Sequence, residues 1–490
     1  MHFRVQVRPG CPEWEAMIVR PNGNGYQTGR CMLLLLALFS ATSNGQTTDA
    51  SFKKLTFEET LTYALAHYPA VRASMEQLTA ARAGVSLARS QYLPQLSAVY
   101  QSSRATQNQV PGIWLPTAIT PAVEGPVGGS SAQSYWGSQT AALFSWEPVD
   151  FGLRPSLVER AKSAADKSSA DLAVTRLQVA TAVGNYFLMA LASHQAAQAA
   201  QANVSRWEVF NKSVHTLVDN TLRPGADASR ADAQLALART QLYRAQLSEQ
   251  VTLATLSALM GAAGSNLQLD SGPLLNLPPA DSLPSVVPEA NPIAQEQMAA
   301  VRQLQAQQKV LSRTDYPRVF FQGEGFARGS EVPTNGSIIG NWNGLAPARG
   351  NWIAGITITF PNVFDFKALS SQKQIAEAHE NAERASYDRT VQDLTGQVQS
   401  ALAQLKNAQL VAQQTPIELE AARASETQSR ARYDASLATI VEVSDAEALL
   451  AQAEIDDAVA RLGLWRGLFN LASAQGDLQP FFNVLKTSHP

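Results

Sequence analysis

The sequence predicts a mainly α-helical protein with some β structure, built from two similar halves. Two stretches, residues 153–221 and 366–434, are rich in Ala, Gln, Leu, Arg and Glu. Each is long enough for a helix of about 65 residues and about 100 Å. Sequence landmarks also recur at similar distances, which indicates an internal duplication. Each half is therefore expected to contain a long antiparallel helical hairpin, and four further segments are expected to be strands.

The repeated landmarks define the duplication. The repeated positions, each with its counterpart, are Pro69 and Pro292, Pro94 and Pro317, Asp150 and Asp365, and Asp232 and Asp445. The offset is 223 for the two proline pairs, 215 for the first acidic pair and 213 for the second. Most of this change falls between the second proline and the first aspartate of each half. That segment is therefore expected to contain a loop of variable length.

The duplication divides the chain into five expected parts. They are a signal peptide with an N-terminal extension at 1–46, a first structural repeat at 47–270, a proline-rich linker at 271–289, a second structural repeat at 290–478 and a C-terminal tail at 479–490. The linker prediction rests on five prolines between Gly272 and Pro288, because proline interrupts regular structure.

The N-terminal part contains a short apolar run, Met32–Phe39, which follows Arg30 and precedes small residues. This order is typical of a cleaved secretory signal peptide, and the run is shorter than the about 20 residues of a membrane-spanning helix. A buried strand or helix is the alternative, and Met17 is an alternative start. Because Cys11 and Cys31 precede the run, the exported chain is expected to lack disulfides and a lipid-modified cysteine.

The helical segments carry recognisable boundary signals. The first helix is expected to begin at a capping box formed by Thr56 and Glu59 and to run towards Ser90. Gly396 and Pro416 are expected to kink or break the second long helix. A soluble coiled coil is the alternative interpretation of the two long helical stretches.

Four segments have an alternating pattern that predicts β-strands. In Trp352–Phe360 the apolar side chains fall on one face, and glycine and threonine fall on the other. Its span of about 26 Å is close to the roughly 25 Å apolar band of a membrane barrel, with the aromatic residues Trp352 and Phe360 at the borders. The other strands are expected at 96–103, 135–146 and 320–326, with loops at 107–134 and 327–350. An ordinary half-buried soluble sheet is the alternative.

Four strands are too few to close a membrane barrel, for which bacterial chains use about eight or more. An open edge would leave unpaired N–H and C=O groups in lipid, at about several kcal/mol each. If these strands enter a membrane, the strands of neighbouring copies must therefore pair. A dimer would give about eight strands and a trimer about twelve, and strand pairing alone is compatible with either.

From about Leu55 to Gly476 the chain resembles the TolC-type outer-membrane efflux proteins, also called outer membrane factors. The resemblance rests on the duplicated landmarks, on the strand start at Tyr92–Leu96 and on the stretch Tyr433–Ala446. It implies a homotrimer, with a trimeric twelve-stranded β-barrel in the outer membrane and a trimeric α-barrel in the periplasm. The implied function is a passive exit duct of a tripartite efflux or type I secretion system. The implied partners are outer-membrane lipid, a periplasmic membrane-fusion adaptor and an inner-membrane transporter of the RND, ABC or MFS type, with no cofactor.

The resemblance also implies that the periplasmic tips of the hairpins form a gate and dock the adaptor. The matching turns are 222–226 and 434–438. In the first, a Pro-Gly pair is expected to reverse the chain, with the glycine at positive φ. The second departs from the family pattern, because Ser436 stands where glycine is usual and Ala438 where some members carry a bracing arginine. The docking candidates are Arg223, Pro224, Gly225, Ser436 and Leu437, and a hairpin loop without a partner is the alternative.

Four further residues are candidates for the lumen and the gate. Glu442 and Asp445 are three positions apart and share one face of the expected helix. The resemblance places them in the lumen near the constriction, where three copies would form carboxylate rings that favour cations. It also makes Asp232 the corresponding acid of the first half and Tyr433 a residue that helps to hold the tip closed. A solvated acidic helix face is the alternative.

Other functional classes have little support in the sequence. The net charge of −3 and the pI near 6.1 provide no basic surface for nucleic acid. The six histidines lack metal-ligand spacing, and no phosphate-binding loop or dinucleotide fingerprint is present. Ser51–Lys54 and Ser370–Lys373 match Ser-x-x-Lys without the accompanying motifs. We therefore expect no enzyme activity, and the main alternative function is an exported scaffold or adhesin made of helical hairpins.

Overall fold

The structure is a computed structural model that describes residues 54–107, 131–279, 287–331, 342–361 and 366–488. The predicted signal peptide, both cysteines and Asp365 lie outside the described residues. Parts of the predicted linker and of both predicted strand loops also lie outside them.

The described elements follow the order expected for a duplicated chain. The helices are α1 (Phe57–His67), α2 (Pro69–Ser90), α3 (Leu153–Asp219), α4 (Gly225–Leu259), α5 (Pro292–Leu311), α6 (Phe366–Asp434), α7 (Ile440–Gln475) and α8 (Gln479–Thr487). The strands are β1 (Gln95–Gln107), β2 (Ser131–Val149), β3 (Arg318–Ser330) and β4 (Arg349–Thr359). A mainly helical chain with long hairpins and one antiparallel sheet is therefore confirmed. No helix in the described ranges is both long enough and apolar enough to cross a lipid bilayer.

The predicted first helix is divided into two. The capping box is present, because the Thr56 amide donates to the Glu59 carboxylate at 2.9 Å and the Glu59 amide donates to the Thr56 hydroxyl at 3.3 Å. The helix then ends at His67, Tyr68 has an extended backbone, and Pro69 begins α2. Proline has no N–H to donate and disfavours a helical conformation in the residue before it. The prediction of one continuous helix was therefore wrong.

The two long helices extend over 67 residues in α3 and 69 residues in α6. The helix α6 is not broken at Gly396 or Pro416, since it continues through both residues, and the alternative expectation of a kink at these positions stays a prediction. Ala412, Thr415 and Ala422 are buried on either side of the proline. Tertiary packing of this kind commonly outweighs the unfavourable helix propensity of a single residue.

The strands form one antiparallel sheet in the order β1-β2-β3-β4. The pairing of β3 with β4 confirms the predicted hairpin, and the pairing of β2 with β3 joins the two halves of the chain. The register places Leu96 opposite Phe144, and Phe321 opposite both Trp146 and Ile356. Because alternate residues of a strand share a face, these apolar side chains lie on the same face of the sheet.

A buried ion pair fixes the first long hairpin to the sheet. The Arg154 guanidinium lies 2.9 Å from the Asp150 carboxylate and donates to the carbonyl of Gln91 at 3.2 Å. It also lies 5.1 Å from the ring centroid of Tyr92. One side chain at the start of α3 therefore contacts both the chain segment that leads into β1 and the segment that follows β2.

An aromatic core packs the middle of α3 against the C-terminal part of α7, away from the hairpin tips. The Phe57 ring packs 5.3 Å from that of Phe187 and 5.5 Å from that of Phe469. Gly184 permits this packing, because a Cβ atom at that position would lie 2.3 Å from the ring of Phe469. The predicted C-terminal tail contributes as well, since it forms α8 and buries Phe481 in the same cluster.

The described part of the predicted linker packs against the same core. Residues 272–275 form a short 3₁₀ helix in which Leu274 is buried. The next residue, Asn276, accepts a hydrogen bond from the Trp465 indole at 2.8 Å. The first part of the linker is therefore held against α7.

Candidate functional site

The two long hairpins reverse direction in the same way. Thr221 follows α3 and Ser436 follows α6, with left-handed φ values of 61° and 62°. In each turn the left-handed residue donates its N–H to the carbonyl three positions earlier, and the next residue donates to the carbonyl five positions earlier, at 2.7–2.9 Å. These are the hydrogen bonds of a Schellman motif. Both helices therefore end in this motif although neither has the usual glycine.

The predicted conformation of the Pro-Gly pair was wrong. Gly225 is the first residue of α4, and its φ is not positive. Pro224 is the N-cap residue, with an extended backbone at ψ 144°. The reversal needs its left-handed residue at the end of the first helix, where Thr221 takes that role. The proline and the glycine instead lead into the second helix.

The two turns also establish how the halves correspond. Thr221 and Ser436 differ by 215 positions, and so do the buried residues Ala231 and Ala446 on the following helices, and Ala238 and Ala453. In this register Asp232 corresponds to Glu447. The predicted correspondence of Asp232 with Asp445 is therefore displaced by two positions, because the acidic residues of the two halves do not occupy equivalent positions after the turns.

Arg223, Asp227 and Tyr433 form a contact between the two hairpins, which we call the tip latch. Tyr433 is only 1% exposed, and the Arg223 guanidinium lies 4.2 Å from the centroid of its ring. Arg223 also donates a hydrogen bond to the carbonyl of Tyr433. The Tyr433 hydroxyl donates to Asp227 of α4 at 3.2 Å. The first tip turn is thus bound to the end of α6.

The environment of Tyr433 keeps its phenol protonated. Burial, together with the nearby carboxylate of Asp227, raises the pKa of Tyr433 to about 12. A neutral phenol can donate a hydrogen bond to a carboxylate, whereas a phenolate cannot. The bond to Asp227 is therefore available throughout the physiological pH range.

The predicted site residue Asp232 connects α4 to α3. It accepts hydrogen bonds from the Asn211 amide at 2.7 Å and from the His215 ring at 2.9 Å. These two bonds lower the pKa of Asp232. The carboxylate is largely exposed to solvent, so it is an ionised group on the surface of the first hairpin.

Glu442 and Asp445 both lie near the start of α7, but they have different surroundings. Glu442 accepts a hydrogen bond from the Thr439 amide at 3.2 Å, as part of a capping box, and lies 3.5 Å from the Arg432 guanidinium. Glu442 therefore stabilises the second tip turn. The Asp445 carboxylate is exposed to solvent without an ion-pair partner in the described part of the chain.

A buried charged cluster that was not predicted from the sequence lies between the hairpins. Glu447 is 1% exposed, and Arg206 of α3 lies 3.0 Å from both Glu447 and Glu454 of α7. Burial raises the pKa of Glu447 despite the attraction of Arg206. Glu447 and Glu454 are seven positions apart, which places them on one face of α7. This spacing is the feature of the sequence that could have indicated the cluster.

Exposed apolar side chains mark the tips and the sheet. Leu222 and Leu437 occupy equivalent positions in the two turns, and both are exposed. Leu437 was predicted, whereas its counterpart Leu222 was not singled out. Trp352 and Phe360 are also exposed, with Trp352 near the start of β4 and Phe360 one residue after its end.

The fold and the family comparison identify the class of protein. A family model described as "Outer membrane efflux protein" matches residues 60–262 and 283–477. The chain therefore belongs to the outer membrane efflux protein family, and the predicted family and outer-membrane location are confirmed. A comparison with curated protein sequences gave no significant match.

Solved structures of outer-membrane proteins share the fold. VceC of Vibrio cholerae has a TM-score of 0.66 at 17% identity, covering 86% of this chain and 96% of its own. The CmeC channel of Campylobacter jejuni has a TM-score of 0.68 at 15% identity, covering 86% and 85%. The open MtrE channel of Neisseria gonorrhoeae has a TM-score of 0.68 at 18% identity, covering 86% and 89%. At these identities the similarity establishes the fold.

Proposed function

We propose that three copies of this chain form a passive exit duct through the outer membrane. In this assembly a twelve-stranded β-barrel crosses the membrane, and an α-barrel of long hairpins extends into the periplasm. The two structural repeats, 47–270 and 290–478, each contribute one strand pair and one hairpin. The duct needs no cofactor and catalyses no reaction.

The observation that carries this proposal is the sheet with two free edges. In the described part of the chain, β1 and β4 each pair with only one other strand. Free edges in lipid would leave backbone N–H and C=O groups without partners, which a closed barrel prevents. Pairing of β4 with β1 of the next copy satisfies both edges, and three copies supply twelve strands for a lumen wide enough for cargo.

The apolar face of the sheet supports the same assembly. Trp352, Ile356, Ile358 and Phe360 are all more than half exposed in the single chain. The register adds Leu96, Phe144, Trp146 and Phe321 to this face. The opposite face carries Gln322, which accepts a hydrogen bond from Thr357 at 3.2 Å. Apolar-out and polar-in alternation is the pattern of a membrane barrel around an aqueous lumen.

We further propose that the hairpin tips form the gate and the docking surface. The tip latch holds the two hairpins of a chain together, so breaking it would allow the tips to separate. The exposed Leu222 and Leu437 offer apolar contacts to a periplasmic membrane-fusion adaptor, together with Arg223, Pro224, Gly225 and Ser436. An inner-membrane transporter of the RND, ABC or MFS type would supply the energy.

Glu442 and Asp445 are proposed to line the duct near this gate. Three copies would supply rings of carboxylates, which favour cations in a narrow passage. Asp445 is the stronger candidate for direct contact with ions, because Glu442 is already engaged with Thr439 and Arg432. Asp232, bound to His215 and Asn211, is proposed as an additional acid near the gate.

The mass of the complex in mild detergent, measured by light scattering after subtraction of the detergent, tests the assembly. A mass of three chains is expected. A monomer, or a protein recovered without membrane, would contradict the duct and favour an exported scaffold.

The sheet face has its own test. Lys in place of Ile356 should prevent membrane assembly, since a cation at mid-membrane on a barrel costs about 2–4 kcal/mol. Thr357→Lys, at the same depth but on the opposite face, is the matched control and should assemble. Equal assembly of both variants would contradict exposure of Ile356 to lipid.

A further inference from the structure

Two arginines face each other across the hairpin formed by β3 and β4. Arg328 lies directly opposite Arg349 in the register. Arg349 is the first residue of β4 and Arg328 is near the end of β3, so the pair lies at the end of the hairpin that is remote from α5 and α6. Gln139 of β2 is the partner of Arg328 on its other side. Three side chains with N–H donors therefore follow one another across the sheet.

The arginine pair lies on the polar face of the sheet. Alternate residues of a strand share a face, and Arg328 is six positions from Gln322, while Arg349 is eight positions from Thr357. Both arginines are therefore on the face that carries the hydrogen bond between Gln322 and Thr357. In the proposed duct this face lines the lumen.

Neither arginine has an acidic partner among the described residues. The Arg328 guanidinium lies 5.9 Å from the centroid of the Phe326 ring, and Arg349 is exposed. Arg318, at the other end of the same face of β3, is by contrast paired with Glu147 at 2.6 Å. Like charges directly opposite each other destabilise a sheet. A negative charge between the two guanidiniums would remove this repulsion.

The acids near this end of the sheet do not supply that charge. Glu324 is on the same face of β3, but it is four positions from Arg328, or about 13 Å at the strand rise. Glu331 follows the end of β3, where it is 3% exposed and accepts a hydrogen bond from the Trp136 amide at 2.7 Å. The described residues thus leave the arginine pair available to an anionic ligand.

We propose that Arg328 and Arg349 bind a phosphate-type anion, with two or more negative charges, between their guanidiniums. Each guanidinium presents parallel N–H donors that match two oxygens of a phosphate group, and two negative charges balance the two positive ones. The Gln139 amide adds a donor beside Arg328. The site is complete within one chain, whereas its position at the outer end of the lumen rests on the proposed duct. There, the sites of three copies would concentrate anions at the exit.

Calorimetric titration of the full-length protein with inorganic pyrophosphate tests the site. The protein is held in an uncharged detergent at low ionic strength, and potassium chloride of equal ionic strength is the blank titration. Saturable binding of one pyrophosphate per chain is expected. Arg349→Gln should weaken this binding about tenfold or more, because it removes the hydrogen bonds of one charged group.

An arginine on the other face provides the matched control. Arg104 of β1 is exposed, and its guanidinium lies 5.6 Å from the centroid of the Trp136 ring. The register places it on the same face as Leu96, opposite to that of the arginine pair. Arg104→Ala should therefore bind pyrophosphate like the unmodified protein.

Arg349→Glu gives a second readout that a loss of folding cannot imitate. The new carboxylate lies opposite Arg328 and replaces the repulsion by an attractive cross-strand pair. The thermal midpoint of this variant should exceed that of the unmodified protein without ligand. Pyrophosphate should raise the midpoint of the unmodified protein and leave that of Arg349→Glu unchanged.

Several outcomes would overturn the proposal. The site is excluded by a lack of saturable binding, by unchanged binding to Arg349→Gln, or by an equal loss in Arg104→Ala. Loss of binding in nanodiscs that contain phosphatidic acid would mean that a lipid headgroup fills the site, and would place this face of the sheet against lipid. One pyrophosphate bound to a complex with the mass of a single chain would support the site and contradict the duct.

Discussion

The guanidinium of Arg223 lies over the ring of Tyr433, 4.2 Å from its centroid, and donates to the carbonyl of the same residue. Arg223 belongs to the turn of the first hairpin, whereas Tyr433 lies at the end of the first helix of the second. In the register of the two turns Arg223 corresponds to Ala438. Only the first of the two tip turns therefore carries an arginine at this position.

Replacing Arg223 by alanine should loosen the tip. The variant loses a cation–π contact and a hydrogen bond, together worth about 1–2 kcal/mol, which is roughly a tenfold change in the ratio of open to closed tips. We expect higher single-channel conductance or longer openings in planar bilayers. Arg244→Ala, an exposed arginine of α4, is the control and should leave conductance unchanged. Equal conductance of the two variants would contradict a latch at Arg223.

Tyr433→Phe should remove the bond to Asp227 and retain the ring contacts. The loss is about 1.5–3 kcal/mol for a hydrogen bond to a charged group. Because folding raises the pKa of Tyr433 from 10.0 to about 12, the unfolded chain loses this proton first as the pH rises. The stability that the phenol contributes is therefore complete below pH 10 and is lost between pH 10 and about 12.

Ultraviolet titration of the phenols measures this effect. The difference between the unmodified protein and Tyr433→Phe should titrate near pH 12. A difference that titrates near pH 10 would show that Tyr433 is not buried against Asp227.

Glu442→Gln combined with Asp445→Asn should reduce the preference of the duct for cations. Glutamine preserves the capping box with Thr439, because it serves as well as glutamate at this position. The folded tip is therefore retained while the charges are removed. Reversal potentials in a salt gradient across a bilayer measure the selectivity. Glu420→Gln, an exposed glutamate of α6, is the control, and unchanged selectivity in the double variant would exclude the carboxylate rings.

Ser436→Gly should stabilise the second tip turn by about 0.5–1 kcal/mol. Ser436 has a φ of 62°, a conformation that glycine adopts without the steric cost of a Cβ atom. The thermal unfolding midpoint is expected to rise. Ser429→Gly within α6 should lower it, because glycine is less favourable than serine in a helix interior by about 0.5 kcal/mol. A lower midpoint in both variants would contradict the left-handed turn.

Glu447→Gln should flatten the pH dependence of stability. Burial raises the pKa of Glu447 above its ordinary value of 4.5, so the folded protein retains a proton that the unfolded chain releases. The contribution of Glu447 is therefore largest below pH 4.5 and declines as the pH rises towards the higher folded pKa. Thermal midpoints measured from pH 4 upwards should show a smaller decline in Glu447→Gln. Glu420→Gln is the control and should follow the unmodified protein.

The sequence by itself determined the class of fold and the positions of its main elements. The bounds of the long hairpins and of the strands depend on local composition, on capping residues and on alternation, all of which act over a few neighbouring residues. Thr56 and Glu59 form the predicted capping box, and β3 and β4 pair as the predicted hairpin. These features were predictable because short-range interactions specify them.

Only the tertiary structure decided which distant residues meet. The bond from Arg223 to Tyr433, the buried cluster of Arg206 and Glu447, and the continuation of α6 through Pro416 all depend on how one helix packs against another. A sequence pattern identifies the apolar face of each helix. It does not give the rotation of the helix about its axis or its axial shift relative to the neighbouring helix. For that reason the offset of 215 positions between the two hairpins follows from the geometry of the turns at Thr221 and Ser436. This offset makes Glu447 the counterpart of Asp232.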